Sequence, residues 1–317
     1  MSNSVVSNVS DGTSSYWNPA GLLSIQDKYE ISLMHSEYFA GIANYDFIGF
    51  AMPIDNLSHM SFSVIRFGID DIPDTRFLYD ANGAINYDNI QFFSAADYAF
   101  IFSYARKLNV LGGIRVGGNF KVVHRQVGEF ANSWGFGLDA GAQKILGKWQ
   151  FGLMLRDVTG TFNAWSHNSD LVEDVYILTG NVIPISSLEV TLPRMILGAT
   201  RNFSFGEKIG FMISMDLEMT FDGKRNVALK NDFASVSPMI GLELDYSKIA
   251  FLRLGAGKFQ EVKDFNNSAM TSWQPNFGLG VKIKNLRVDY AMTDFSDNAE
   301  ALYSHVFSIS FGLNDTK

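Results

Sequence analysis

The chain has 317 residues, of which 14% are aromatic and only 18% charged, with 27 Phe, 12 Tyr, 28 Gly, no Cys and a formal net charge of −8. The lack of cysteine excludes a disulfide framework, thiol catalysis and thiolate metal sites, and an acidic balance without a basic stripe argues against a nucleic-acid surface. No stretch approaches the roughly 18 consecutive apolar residues of a transmembrane helix, yet so many rings and so few charges imply either a very large core or contact with lipid.

The chain opens with "MSNSVVSNVSDG", which lacks the basic and long apolar regions of a secretory signal, so any such signal has been trimmed from this sequence. "SSYWNPAGLLSI" follows at residues 14–25. Here Asn18, Pro19, Ala20 and Gly21 punctuate the chain, and two leucines start a short apolar helix. Pro19 restricts Asn18 to extended backbone and Gly21 permits a strained turn. Residues 1–27 are therefore expected to form a plug or hatch segment ahead of the wall, with a barrel over 28–313 and a tail at 314–317.

From residue 28 onward the dominant signal is alternation. In "NFGLGVKIK", Phe277, Leu279, Val281 and Ile283 share one face while Asn276, Gly278, Gly280 and Lys282 share the other, as in a strand with one greasy side. Fourteen such segments occur, at roughly 28–36, 43–52, 59–68, 96–107, 112–125, 133–144, 148–157, 193–201, 209–220, 237–246, 249–257, 273–284, 286–294 and 303–313. Each has about the length that a tilted strand needs to cross a bilayer, and their number is even.

A soluble sandwich would also alternate, so the connections decide. Those after even-numbered segments are short, for example "LNVL", "ILG" and "SK", whereas those after odd-numbered segments are longer, above all 69–95, 158–192, 221–236 and 259–272. Segregation of turns and loops by parity belongs to outer-membrane barrels. Trp134 and Trp273 at the loop end and Trp149 at the turn end fit two interfacial girdles. The expected fold is all-β: a fourteen-stranded antiparallel transmembrane β-barrel in outer-membrane lipid, with extracellular loops and periplasmic turns.

If the apolar faces meet lipid, the lumen receives Arg115, Lys121, Arg125, Asp139, Asp216, Glu218, Glu243, Arg287 and Asp289, with Arg156, Asp245, Arg253, Lys282 and Lys284. Interleaved signs suit pairing across a filled lumen better than selection of one ion. Glycines within the strands mark bends and close approaches, and "GFGLDAG" lacks both the spacing and the following helix of a phosphate loop. His35, His59, His124, His167 and His305 are scattered without metal-ligand spacing, and no nucleophile is paired with a base. Neither catalysis nor a metal or cofactor is expected.

The two longest loops carry acidic and aromatic residues together. Phe77, Tyr79, Phe92, Phe93, Phe162, Trp165 and Tyr176 are candidate partner-binding residues there, unless the loops fold inward and fill the barrel.

"YWNPAGL", the hairpin "SLMHSEYFAGIANYDFIGFAMP" and the segment "GGNFKVVHRQVGEFANSWGFGLDAGAQ" together resemble the PorV/PorQ family of Bacteroidota outer-membrane proteins, itself similar to FadL-type fourteen-stranded barrels. That resemblance implies a non-enzymatic role in type IX secretion, with the translocon barrel or the C-terminal signal domain of secreted cargo as partner at the extracellular mouth. The alternative is a FadL-like transporter, in which a hydrophobic molecule binds within the barrel and leaves through a gap. The charge-rich inner face weighs against that alternative.

Overall fold

The computed structural model describes residues 1–227, 229–263, 269–293 and 303–314. The wall starts with a meander of β1 (Tyr29–Tyr38), β2 (Ala43–Asp55), β3 (Ser58–Asp74), β4 (Gln91–Leu108), β5 (Ile114–Val127) and β6 (Ala131–Leu146). The next two wall strands are each in two pieces. β7 (Trp149–Arg156) and β8 (Thr161–His167) both pair with β6, while β9 (Ser187–Thr191) lies on β8 and β10 (Arg194–Phe205) on β7.

The circuit continues through β11 (Ile209–Thr220), then β13 (Ser235–Tyr246) with the two-residue β12 (Leu229–Lys230) laid on it. β14 (Ala250–Lys263), β15 (Ala269–Ile283), β16 (Leu286–Thr293) and β17 (Ser304–Leu313) complete it. β17 pairs with β1, so the wall is a closed fourteen-strand antiparallel barrel with no free edge.

The barrel is inside out relative to a soluble protein. Along β6, Trp134, Phe136 and Leu138 are exposed, whereas Ser133, Asp139 and Gln143, which alternate with them, are buried. Only a lipid exterior makes that pattern favourable, because the outer rows of Ile, Leu and Phe would otherwise face water. The exposed apolar rows are those of a membrane-spanning β-barrel.

Several strands run further than the alternation predicts. β3 continues to Asp74 through a register shift between Ile69 and Ile72, and β4 begins at Gln91, so the first long loop shrinks to residues 75–90. β8 occupies 161–167 and β9 occupies 187–191, within the expected loop 158–192. The ladder is made by backbone groups, which pair without an apolar pattern once the strands leave the bilayer. Parity also weakens, since the loop-end connections 39–42 and 128–130 are as short as turns. Of the expected loop 259–272, residues 264–268 lie outside the described residues, as do 294 and 315–317.

Candidate functional site

Residues 1–25 run against the inward faces of the wall. After a short helix, α1 (Ser14–Trp17), the chain makes a 3-10 turn over Pro19–Ser24. Val6, Val9, Ala20, Leu22 and Ile25 are buried, with Leu22 and Ile25 packed on Ala51 and Ala105 of the wall. Asp216 on β11 accepts from the backbone N–H groups of Val5 and Val6, both at 2.9 Å. The Asn18 carboxamide donates to the carbonyls of Val6 (2.9 Å), Ala142 (3.1 Å) and Leu153 (3.3 Å), while its oxygen caps Ala20 N–H. Pro19, Ala20 and Gly21 are buried beside it. Backbone groups removed from water need such partners, and here side chains from the wall supply them.

Beside this segment, toward the loop end, lies a chamber of about 300 Å³. One wall is apolar: Tyr45, Ile65, Ala99 and Ile101 line it beside Tyr16, with Phe47 packed behind Ile65 and Ile101 in the same buried cluster. The opposite wall is ionic. Lys121 Nζ bridges Asp139 Oδ1 (2.7 Å) and Asp157 Oδ1 (2.6 Å), and Thr161 donates to the same Asp157 oxygen. Arg194 pairs with Glu218 at 3.0 Å, and Arg156 donates to Tyr16 O with its guanidinium 4.4 Å above the Tyr16 ring. Lys121, Asp139, Asp157 and Glu218 are held in ion pairs on that wall, while Arg194 Nε is buried without a hydrogen-bond partner.

The wall itself is interrupted beside this chamber. Asp157 and Gly160 have positive φ (55° and 69°), and Gly160 N–H turns back onto Asp157 O at 2.8 Å. Across from them Leu192 and Pro193 separate β9 from β10. Regular pairing resumes only at Thr161 with Thr191 on one side and Arg156 with Arg194 on the other. Pro193 has no N–H to give, so the ladder between the two wall strands is broken there.

The nine lumen charges read from sequence all belong to inward-facing positions. Arg115 donates to Ser24, and Arg125 meets Asp97 and Glu189, both at 3.0 Å. Glu243 and Asp289 flank Arg253 at 2.5 and 2.6 Å, and Arg287 contacts Asp289 at 2.8 Å and Asp11 at 3.8 Å.

The aromatic loop residues are not brought together. Phe92 and Phe93 lie on β4, Phe162 packs outward on Phe136 (4.1 Å), and Trp165 donates to Glu189 at the mouth. Phe77 and Tyr79 are exposed in the loop 75–90, while Tyr176 sits on α2 (Glu173–Thr179). Arg76 was not singled out from sequence. It holds Asp74 at 2.7 Å, donates to Leu171 O and lies 4.6 Å from the Phe130 ring, tying three loop-end segments together. Asp157 and Arg194 also escaped notice, although Gly160 and Pro193 are strand-breaking residues that could have marked the spot.

No family model and no curated protein matches this chain in sequence. Solved structures do match in fold. The monoaromatic hydrocarbon channel CymD is similar with a TM-score of 0.61 and 12% identity, over 98% of this chain and 94% of that one. The Pseudomonas putida toluene transporter TodX follows at 0.60 and 11%, over 96% and 95%. A Pseudomonas aeruginosa FadL homologue gives 0.54 and 10%, over 97% and 95%. The fold is thus shared with these proteins, whose names describe a hydrocarbon channel, a toluene transporter and a FadL homologue.

These matches correct the expected role in type IX secretion, which followed from the resemblance: the barrel is shared with hydrocarbon channels and transporters, and nothing among them points to secretion. The charge-rich inner face does not exclude an apolar surface: Lys121 pairs with Asp139 and Asp157, and Ile65 and Ile101 line the other side of the chamber.

Proposed function

We propose that this FadL-like outer-membrane barrel carries small hydrophobic molecules across the outer membrane. The observation that carries the reading is the chamber: one wall of Tyr45, Ile65, Ala99 and Ile101, an ion-paired wall around Lys121, Asp139 and Asp157 opposite, and the interrupted strands alongside. A volume of about 300 Å³ is at the lower end for ligand pockets and suits a molecule of one aromatic ring.

In this reading the long loops are extracellular and the turns periplasmic. A ligand enters from the mouth and settles on the apolar wall above Tyr16. Residues 1–25 act as the plug that blocks the straight path, with Asn18 to Gly21 wedged against β5 and β6. The ligand then leaves sideways through the break between residues 157–160 and 192–193, where exposed Val158 and Leu192 give an apolar passage toward the bilayer.

The reading is supported by structural neighbours that are a toluene transporter and a monoaromatic hydrocarbon channel. Titration of the detergent-solubilised protein with toluene, followed by fluorescence of its tryptophans and tyrosines, tests the reading. Saturable quenching that Ile101→Trp removes supports it; a linear, unsaturable response in the wild type contradicts it.

A further inference from the structure

A second feature lies on the outer face of the wall. One register row runs from β1 to β6 through His35, Asp46, Arg66, Tyr98, His124 and Trp134, each opposite the next. The adjacent row toward the turn end is apolar, with Ile309, Leu33, Ile48 and Val64 in register. His35 stands six residues beyond Tyr29, about 15 Å along the axis for a strand tilted by about 40°. Beyond it, at the loop tip, Phe39 and Ile42 are again exposed. The charged part of the row therefore borders the apolar band on its loop side, with apolar side chains toward the turn end and Glu37, Asn44 and Gly68 in register toward the loops.

Charges on the lipid face cost up to about 2–4 kcal/mol near the bilayer centre, and less toward its edge. The cluster answers part of that cost internally. His35 Nδ1 is 2.7 Å from Asp46, whose other oxygen is 3.6 Å from Arg66 Nη1. Arg66 Nη2 is 3.7 Å from Asp70, and Glu37 is 4.0 Å from His35 Nε2. Contacts of 3.6 and 3.7 Å are too long for good hydrogen bonds and Tyr98 is a further side-chain partner, so the guanidinium is held in place with part of its five donors left to offer. Gly68 makes room for it: a Cβ there would lie 2.7 Å from Nη2. Toward the turn end a groove of about 530 Å³ opens over Leu33, Ile48, Val64 and Ile309.

We propose that this groove holds one membrane lipid whose head group carries both a phosphate and a primary ammonium. The phosphate sits on Arg66, and the ammonium sits among Asp46, Asp70 and Glu37. An acyl chain runs over Leu33, Ile48 and Val64. Two observations favour a lipid over a second protein chain. The cluster carries both signs within the reach of one head group, and its apolar floor extends from the charges toward mid-bilayer, the direction in which an acyl chain hangs.

The test is native mass spectrometry of the full chain released from nanodiscs made with phosphatidylethanolamine, phosphatidylglycerol or phosphatidylcholine. The wild type should keep one phosphatidylethanolamine and at least fivefold less of the other two. Arg66→Gln, Asp46→Asn and the groove-filling Val64→Trp should each lower retention at least fivefold, with heat-modifiable gel migration reporting that each barrel is folded. Equal retention of the three head groups, retention unchanged in the folded variants, or a protein dimer in place of the lipid overturns the proposal.

Discussion

The carboxamide of Asn18 occupies the space that a side chain at Gly141 would need: a Cβ on Gly141 would overlap Asn18 Oδ1 and press on the Pro19 ring. The same carboxamide joins the N-terminal segment to β6 and β7 through Ala142 O and Leu153 O. One residue of the segment and one missing side chain of the wall thus define where the segment rests. Gly141→Leu should expel residues 1–25 from their seat, and deletion of residues 1–24 should do so outright. Both should raise ion conductance in a planar bilayer several-fold over the wild type. Unchanged conductance with an intact barrel would remove the plug from the account.

Asn18→Ala keeps the glycine and removes the donors, leaving the buried carbonyls of Val6, Ala142 and Leu153 short of partners. The expected loss is about 1–3 kcal/mol, read from denaturant unfolding in detergent.

Among the described residues, Lys121 bridges Asp139 and Asp157, at 2.7 and 2.6 Å. Lys121→Met leaves two buried carboxylates without it and should destabilise the barrel by roughly 3–5 kcal/mol. Adding Asp157→Asn should restore part of that loss, which a double-mutant cycle measures. Full additivity of the two changes would show that the pair is not coupled.

Arg76→Ala should leave the barrel folded but free the loop end, because Asp74, Leu171 O and the Phe130 ring lose their common anchor. Limited proteolysis should cut within residues 168–186 several-fold faster than in the wild type.

Asp222, in the loop after β11, is held below the ordinary carboxylate range by its hydrogen bonds from Arg225. A depressed carboxyl adds stability above its unfolded value and loses it as pH falls through the folded one. The loop 221–234 should therefore loosen only below about pH 4. Asp222→Asn should abolish this acid step in protease sensitivity. The carboxylate is partly exposed, so the effect is confined to the loop and global stability should not follow it.

Most of the wall was legible in the sequence because lipid imposes a period of two: Trp134, Phe136 and Leu138 could face outward only if Ser133, Gly135 and Asp139 faced in. Strand ends were not legible, since Ile72 to Asp74 and Gln91 to Phe93 pair through backbone groups after the apolar pattern has stopped. The interruption at 157–160 read as the start of a loop because Asp157, Thr159 and Gly160 are turn formers. Only the resumption of pairing at Thr161 shows that the wall continues.

The lumen charges could be read by parity alone, but the chamber could not. Its apolar wall comes from β2, β3 and β4 and its ionic wall from β5 to β8 and β10, which the barrel closure brings face to face. The outer row needed register as well: His35, Asp46 and Arg66 become one cluster only through the pairing of three strands.

The most direct test of the account is uptake of radiolabelled toluene into proteoliposomes containing the wild type or Ile101→Trp, which fills the chamber from its apolar wall. The account predicts saturable uptake by the wild type and at least a tenfold loss in a variant that stays folded. Equal uptake by the two proteins would contradict it.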